Sequence, residues 1–279
     1  MNYQHAFHAG GFSDVFKHWI LVLLLEKLQQ KLTPFGVLDT HGGSGFYDLR
    51  AEKSQKTLEY QEGIVRLINE KHPPEALKSY LDFTKQCQDS PAELDYYPGS
   101  PYIIQHYLRE HDRLISCDSH PKICQELKYN LHQFHDKQIA IHEQDAYLAM
   151  KAFLPLKEKR GLIFIDPAFE VVNEFDQIAQ ALEVALHRFS QGVYAIWYPI
   201  KHRPPIDAFH KALQNLAPGK LLNIELLRRN DNDAHKLNGC GMVIINPPWE
   251  LDQRIDSALP WLTKQFALDQ QARSVCHFL

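Results

Sequence analysis

From residue 31 onward the sequence alternates short apolar runs with segments of helical periodicity. This alternation predicts an α/β fold with helices on both faces of a sheet, because strands buried on both sides need connections that cross over the sheet. The apolar runs predict seven strands: Phe35–Asp39, Arg113–Asp118, Gln138–Glu143, Gly161–Asp166, Gly192–Tyr198, Lys220–Arg228 and Gly241–Asn246. The predicted helices are Val15–Leu28, Pro101–Glu110, Pro121–His132, Ala146–Phe153, Phe175–Phe189, Pro205–Leu216 and Asp252–Phe266.

The last two predicted strands are joined by a turn-rich stretch, Asn230–Gly239, which leaves no room for a helix. They should therefore form an antiparallel hairpin. A Rossmann-like, seven-stranded sheet that ends in such a hairpin is the sheet of the class I methyltransferases. Periodicity alone also admits other doubly wound folds.

The interval between the first two predicted strands is much longer than one crossover needs. Residues 48–98 are charged and helical in pattern, with Leu58, Val65 and Ile68 on one face. The chain shows no internal repeat and no Gly/Ser-rich linker that would mark a second independent domain. We interpret 48–98 as an inserted helical subdomain within a methyltransferase-type domain of residues 1–47 and 99–279.

The charge and cysteine content limit the possible partners. The formal net charge is −4, so a nucleic-acid partner has to be met by a local basic patch. The five cysteines are scattered without a CxxC pair, which predicts reduced thiols and no structural metal. The longest apolar run, Trp19–Leu25, is far shorter than the roughly 20 residues of a membrane span. With no secretory leader recognisable, we expect a cytoplasmic protein without a membrane anchor.

A glycine-rich loop, Asp39–Gly45, follows the first predicted strand and reads Asp-Thr-His-Gly-Gly-Ser-Gly. Glycines there let the backbone approach a ligand at the edge where open α/β sheets bind nucleotides. The loop lacks the Gly-Lys-Ser/Thr of a P-loop, and Asp48 replaces the third glycine of a dinucleotide motif. The loop therefore predicts a nucleotide site of another kind, and a tight turn without a ligand is the alternative.

Acidic residues end the next two predicted strands. Asp118 stands where a carboxylate can accept hydrogen bonds from both hydroxyls of a ribose, and Gln144 with Asp145 can read an adenine edge. Each acid can instead cap the helix that follows it. Together with the glycine-rich loop they fit S-adenosylmethionine as well as a dinucleotide.

The fourth predicted strand ends in Asp166, followed by Pro167, Ala168 and Phe169. Asp166 and a backbone carbonyl can take the two hydrogens of an exocyclic amine while the ring of Phe169 stacks on the base. Methyl transfer from a sulfonium to such an amine depends mainly on positioning and charge complementarity. The alternative is an aspartate that only caps a helix.

Three other features have weaker interpretations. The Asn246–Trp249 turn resembles the tetrapeptide of amino-methyltransferases, but its strand should lie away from the cofactor crevice, so we assign it a structural role. Lys17, Lys201–Arg203 and the ring-rich amino terminus can contact a nucleic acid. Sixteen histidines are present without acids or cysteines at metal-ligand spacing, so we expect no metal.

Six segments together resemble the bacterial RlmJ family over essentially the whole chain. They are Tyr3–Gly10, Asp14–His18, Asp39–Gly45, Tyr97–Pro101, the turn at Asp166 and Gly239–Trp249. The resemblance implies a class I methyltransferase fold with a helical insertion. It also implies S-adenosyl-L-methionine-dependent methylation of the exocyclic amine of an adenine in 23S ribosomal RNA, protein-free or partly assembled. Relatives have also been described as proteins involved in the use of external DNA. We expect a monomer.

The resemblance places functional roles on individual residues. Asp166 becomes the catalytic carboxylate and Tyr3 a substrate-contacting ring. Phe169, placed by its stacking face next to Asp166, is a second predicted substrate contact. The cofactor contacts fall on His18, His41, Ser100, Asp118, Gln144 and Asp145.

This chain departs from the family pattern at two positions. The turn usually reads Asp-Pro-Pro-Tyr, whereas Ala168 and Phe169 stand here, and Asp118 replaces a usual glutamate. Activity should survive these changes. The altered turn motivates an alternative, a nucleic-acid-binding protein with weak or no catalysis. A nuclease, which would need converging metal-binding acids, is a third hypothesis.

Overall fold

The structure, a computed structural model, describes residues 4–90, 93–131 and 138–279. In these segments the strands are β1 (Gly36–Asp39), β2 (Phe46–Asp48), β3 (Tyr96–Pro98), β4 (Arg113–Asp118), β5 (Ile139–Glu143), β6 (Gly161–Ile165), β7 (Val193–Ile200), β8 (Leu221–Leu227), β9 (Gly239–Ile245) and β10 (Arg273–Phe278). Eight of them form one sheet in the order β10-β8-β9-β7-β6-β1-β4-β5. The short strands β2 and β3 pair antiparallel beside it.

The strand directions confirm the predicted fold class. β1, β4, β5, β6 and β7 are parallel, whereas β9 runs antiparallel to both β7 and β8. The predicted hairpin is therefore present, and the fold is that of a class I methyltransferase.

The described sheet has one strand more than the seven predicted, because β10 pairs antiparallel with β8 at the edge. The sequence Arg273–Phe278 has no continuous apolar run, since an edge strand that is partly exposed needs none.

The helices of the described segments are α1 (Phe12–Gln29), α2 (Glu52–Thr57), α3 (Val65–Ile68), α4 (Glu75–Gln86), α5 (Ser100–Tyr107), α6 (Pro121–Leu131), α7 (Ala146–Phe153), α8 (Glu174–Arg188), α9 (Arg203–Leu216), α10 (Leu251–Asp256) and α11 (Leu259–Phe266). The predicted helix 252–266 is divided into α10 and α11, because Pro260 cannot continue a helix. His132, the predicted end of α6, lies outside the described residues. None of the helices in the described segments could cross a membrane.

Two apolar clusters cover the two faces of the sheet. In β6, Leu162 and Phe164 pack in the cluster that contains α1, whereas Ile163 and Ile165 pack in the one that contains α8 and α9. This is the alternation that a doubly covered strand requires. Each fully buried Leu or Ile contributes about 1.5–3 kcal/mol to folding relative to an exposed one.

Helix α1 is buried on nearly all sides because other helices cover the side that faces away from the sheet. Its residues share one apolar cluster with α4 and α5, and Trp19 Nε1 donates a 2.8 Å hydrogen bond to the carbonyl oxygen of Ala76. Helix α4 lies within residues 48–98. The helices of this segment thus complete the core around α1, while the domain boundaries at 48 and 98 stay a prediction.

The register of the sheet fixes where polar side chains meet. Asp39, the last residue of β1, is paired with Ser116 of β4 and Phe164 of β6. Asp118 and Asp166 therefore follow at the same edge, the carboxyl edge of the parallel strands. This edge holds the candidate site.

Candidate active site

A cavity of about 500 Å³ opens at the carboxyl edge of the sheet. Its volume lies within the roughly 300–1,000 Å³ of small-molecule sites. Six of the expected site residues line it, together with Gly42 and Gly43 of the glycine-rich loop: His18, His41, Ser100, Asp118, Asp145 and Asp166. Tyr3 lies outside the described residues, so its substrate role stays a prediction.

The glycine-rich loop lies directly against β4. Gly42 N donates to the carbonyl oxygen of Cys117 at 2.8 Å, and a Cβ on Gly42 would lie 2.2 Å from Ser116 Oγ. Gly43 has a φ of +59°, and a Cβ there would lie 2.4 Å from the Tyr47 hydroxyl. Only glycine fits both positions, so the backbone itself forms this part of the cavity wall.

Asp118 is held by backbone donors at the cavity wall. Its Oδ1 accepts a 2.8 Å hydrogen bond from His120 N, and its Oδ2 accepts a 3.2 Å bond from Gly43 N. Burial raises the pKa of this carboxyl group above its ordinary value. A carboxylate has about four acceptor positions, so this one keeps capacity for the two hydroxyls of a ribose.

Asp145 caps helix α7. Its Oδ1 accepts hydrogen bonds from Tyr147 N and Leu148 N, both at 3.0 Å. The helix-capping alternative is therefore real, and the same side chain also lines the cavity. Gln144 differs, since among the described residues it is not part of the cavity wall, and its backbone N–H donates to the carbonyl oxygen of Asp118 at 3.0 Å. A role for its amide at an adenine edge stays a prediction.

A buried ion pair holds Asp166. Lys17 Nζ lies 2.5 Å from Asp166 Oδ2 and 2.7 Å from Asp14 Oδ1. Asp14 Oδ2 in turn lies 2.9 Å from His5 Nε2 and accepts a 3.1 Å bond from Gly10 N. Burial alone would raise the pKa of Asp14, but the nearby His5 and Lys17 outweigh it and hold that pKa well below its ordinary value.

This ion pair corrects the interpretation of Lys17 as a phosphate contact. The side chain is only 4% exposed and its ammonium group lies between two carboxylates. Neither Asp14 nor this pairing followed from the motifs. The available signal was a lysine three residues after an acid in an otherwise apolar helix, because buried charges require partners.

His41 is neutral and its ring orientation is fixed. Thr40 Oγ1 donates to the carbonyl oxygen of Phe164 at 3.0 Å, so it must accept the 2.8 Å hydrogen bond from His41 Nδ1. Burial lowers the pKa of His41 to about 4. Nε2 is therefore an unprotonated acceptor.

Hydrogen bonds to buried side chains also hold His18 and Ser100 in place. His18 Nδ1 lies 2.8 Å from the Tyr97 hydroxyl, and burial holds the pKa of this histidine well below its ordinary value. Ser100 Oγ donates a 2.8 Å hydrogen bond to Asp39 Oδ2. Burial raises the pKa of Asp39 to about 7. Asp39 was part of the predicted loop, but its role as the partner of Ser100 was missed.

A second polar pair in the wall was also missed. The Tyr147 hydroxyl donates a short hydrogen bond to Glu174 Oε1, and both side chains line the cavity. Glu174 is the first residue of α8, and nothing in its local pattern separates it from an ordinary helix-start acid.

Phe169 points into the protein. Its φ is +51°, and its ring centroid lies 4.9 Å from that of Phe175 and 6.0 Å from that of Trp197. Among the described residues it is not part of the cavity wall. Stacking on a substrate base would require this ring to leave Phe175, so that role stays a prediction.

The Asn246–Trp249 turn lies at the opposite edge of the sheet, because β9 runs antiparallel to β7. Asn246 Nδ2 donates to the carbonyl oxygens of Ser190 and Gly192, at 2.9 and 2.7 Å. Trp249 is 83% exposed. This position agrees with the structural role expected from the sequence. In the described parts of the chain no group of three or more His, Cys, Asp or Glu side chains could hold a metal ion.

Comparisons with known proteins identify the family. The family model for "Ribosomal RNA large subunit methyltransferase D, RlmJ" matches residues 32–278. A Haemophilus influenzae protein named "Ribosomal RNA large subunit methyltransferase J" is 40% identical over 264 residues, 95% of this chain and 93% of its own length. An Escherichia coli protein of the same name is 37% identical over 262 residues, 94% of this chain and 92% of its own.

A solved structure is similar over nearly the whole molecule. The crystal structure of a Legionella pneumophila protein has a TM-score of 0.88 and 36% identity, and the match covers 97% of this chain and 98% of that one. Because the family model and both relatives span most of the sequence, this chain belongs to the RlmJ family of ribosomal RNA large subunit methyltransferases.

Proposed function

We propose that this protein transfers a methyl group to the exocyclic N6 amine of an adenine in 23S ribosomal RNA. The observation that carries the proposal is that the Asp166 carboxylate lines the same cavity as Asp118 and the glycine-rich loop. An amine held by Asp166 therefore lies in one cavity with a nucleoside bound at the sheet edge. The family name supports ribosomal RNA as the substrate. The carboxylate of Asp166 supports an exocyclic amine as the group that accepts the methyl.

S-adenosyl-L-methionine is the cofactor, and the residues of the cavity fit it. Asp118 keeps acceptor capacity for a ribose, and the backbone of Gly42 and Gly43 forms a wall without side chains. Asp145 would serve the adenine edge, while His18, His41 and Ser100 would hold the rest of the molecule. When bound, the cofactor supplies an electrophilic methyl group on a sulfonium.

The chain's own residues account for the positioning of the acceptor. Lys17 Nζ binds Oδ2 of Asp166 at 2.5 Å and restrains the carboxylate. Oδ1 is then the atom that can accept a hydrogen bond from an amine. This contact orients the nitrogen lone pair, and the amine loses its proton to water during or after attack. The ion pair thus makes Asp166 a rigid acceptor rather than a mobile side chain.

The substrate is RNA that is free of protein or only partly assembled. The cavity opens at the surface, and two exposed lysines in its wall, Lys53 and Lys122, supply positive charge for the backbone of a flipped nucleotide.

The test is transfer of labelled methyl from S-adenosylmethionine to unmodified large-subunit RNA, with duplex and single-stranded DNA in parallel. We expect label on RNA adenine N6 with the wild-type protein. The Asp166→Ala variant should show none while its cofactor affinity stays within a few-fold. Full turnover by Asp166→Ala, or label on DNA alone, would contradict the proposal.

One observation favours a second function, a nucleic-acid-binding protein of this fold with weak or no catalysis. In the altered Asp-Pro-Ala-Phe turn, the ring of Phe169 packs on Phe175 instead of facing the cavity. Measurable binding of cofactor and RNA without transfer would support this alternative. Gain of transfer in an Ala168→Pro, Phe169→Tyr double variant would then identify the turn as the cause.

A further inference from the structure

Three arginines gather at the end of strand β8, on the same sheet edge as the cavity. Leu227, the last residue of β8, pairs with Gly239, which also pairs with Ile200 at the end of β7. Arg228 and Arg229 therefore follow at the carboxyl edge of the parallel strands. Three strand spacings, about 14 Å, separate β8 from β6, the strand that leads to Asp166.

Arg228 is anchored firmly. It is 6% exposed, its guanidinium carbon lies 4.4 Å from the ring centroid of Phe12, and its Nε donates to the carbonyl oxygen of Phe266 at 3.0 Å. One terminal nitrogen donates to Glu62 Oε2 at 2.7 Å. These contacts fix one positive charge beside the amino end of α1.

Arg66, from helix α3, binds the carbonyl group next to the one that Arg228 binds. Its Nη1 donates to the carbonyl oxygen of Gln265 at 3.0 Å. Arg228 by its hydrogen bond, and then Arg66 and Arg229 by their charge, hold the pKa of Glu62 below its ordinary value. Segments that are distant in sequence thus bring Arg66 and Arg228 to the adjacent carbonyl groups of Gln265 and Phe266.

Arg229 has spare donor capacity. Its Nε is buried and has no hydrogen-bond partner within the described segments. The two nearby acids are already engaged. Asp231 Oδ2 accepts hydrogen bonds from Arg203 Nε at 2.6 Å and from Arg273 Nη2 at 2.9 Å, and Asp269 accepts hydrogen bonds from Asn230 N and Gln271 N. A buried donor without a partner costs about 1–3 kcal/mol, so a rearrangement of the Arg229 side chain towards an incoming acceptor would remove a penalty.

The charges of this arginine cluster (Arg66, Arg228 and Arg229) are not balanced. Arg228 donates to Glu62 Oε2 at 2.7 Å, and the charges of Arg66 and Arg229 also act on Glu62, in a protein whose formal net charge is −4. Burial lowers the pKa of Arg228, and the Glu62 hydrogen bond opposes that effect only in part. The three arginines thus outnumber the one carboxylate that Arg228 binds, three strand spacings from β6 along the same sheet edge.

We infer that the arginine cluster binds a backbone phosphate of the RNA substrate, a few nucleotides away from the adenine in the cavity. Guanidinium groups match phosphate oxygens with paired hydrogen bonds, and such contacts fix the register of a nucleic acid without reading its bases. The inference rests on the proposed function, because it requires an RNA substrate. The cluster does not touch the reacting atoms, so it acts by positioning.

The test compares methyl transfer by the wild-type protein and an Arg66→Ala, Arg229→Ala double variant over a series of salt concentrations. Arg228 is left intact because it is part of the core. The matched control is Lys211→Ala, which removes an exposed positive charge from α9 on the other face of the sheet. An Arg229→Lys variant keeps the charge but loses the fork of donors.

At physiological salt we expect the KM for large-subunit RNA to rise about tenfold in the double variant, with kcat and cofactor affinity unchanged. The slope of log KM against log salt should fall by about 0.7–0.9 for each phosphate that the variant no longer binds. The KM and salt slope of Arg229→Lys should lie between those of the wild type and the double variant. Those of Lys211→Ala should match the wild type.

Two results would overturn this inference but leave the proposed function intact, since the wild-type protein would still methylate RNA. One is an unchanged KM and salt slope in the double variant. The other is a fall in kcat together with a lower unfolding temperature, which would show that the arginines only stabilise the packing of α3 against α11. Absence of transfer to RNA by the wild-type protein would instead remove the proposed function, and this inference with it.

Discussion

Lys17 and Asp166 form a buried ion pair, with 2.5 Å between Nζ and Oδ2. The pair joins the first helix to the loop after β6, and Asp14 shares the same ammonium group at 2.7 Å. One positive charge therefore separates two carboxylates that would otherwise face each other in a buried site. The proposed catalytic acid thus depends on a residue far from it in sequence.

Replacing Lys17 by methionine should damage both stability and activity. The change leaves Asp14 and Asp166 without their shared cation, and removing one partner of a buried ion pair costs about 3–5 kcal/mol. We expect a lower free energy of unfolding in a denaturant titration and a more than tenfold loss of kcat. Lys211→Met is the control, and a Lys17→Met variant with wild-type stability would refute the role given to the pair.

Asp118→Ala should weaken the cofactor. The variant loses the carboxylate that we assign to the ribose and leaves Gly43 N without its acceptor. Hydrogen bonds to charged groups contribute about 1.5–3 kcal/mol, which corresponds to a rise of roughly 10- to 150-fold in Kd. Calorimetric titration of the wild type and the variant with S-adenosylmethionine measures the two Kd values.

The conservative variant Asp118→Glu keeps the carboxylate and changes only the length of the side chain. Because the longer side chain keeps the carboxylate that we assign to the ribose, we expect Asp118→Glu to bind the cofactor at least as well as the wild type. Glu126→Ala, at the rim of the cavity, is the control for general loss of negative charge. An unchanged Kd in Asp118→Ala would place the ribose elsewhere.

Asn246→Ala should leave methyl transfer intact and lower stability. Asn246 has a φ of +54°, and its side chain makes two hydrogen bonds to backbone carbonyl groups. Alanine loses both bonds and tolerates this backbone conformation less well, at a cost of about 1–3 kcal/mol. Thermal unfolding and a methyl-transfer assay on the same sample check both parts. A fall in turnover at full stability would mean that the turn takes part in catalysis.

His41 should make the protein less stable as the pH falls. Its pKa is about 4 in the folded state and about 6.5 when unfolded, so between these values the unfolded chain binds more protons. The contribution of the neutral histidine is fully present above pH 6.5 and is lost towards pH 4, at a cost of about 3–4 kcal/mol.

Comparison of variants isolates this effect. Asp39, whose pKa is raised to about 7, acts in the opposite direction over the same range, since the folded state then holds the extra proton. We therefore expect the His41→Gln variant to lose less stability than the wild type between pH 6.5 and 4 in urea titrations. Parallel curves for the two proteins would show that His41 titrates normally.

The layers of the fold and the edge that holds the site could be predicted from local sequence patterns. Strand and helix periods follow from backbone geometry, so β4, β6 and the helix α7 were predicted with nearly their observed bounds. Because parallel strands end at a common edge, the positions of Asp118, Asp145 and Asp166 along the chain were enough to place these acids together.

The pairing of side chains across that edge depends instead on how distant segments pack. The contact of Lys17 with Asp166, the inward ring of Phe169 and the hydrogen bond of Arg228 to Glu62 are all of this kind. Local periodicity states which face a residue occupies but not what lies opposite that face. The physical reason is that such pairs are selected by burial, where a charge or a ring must find whatever partner the assembled core provides.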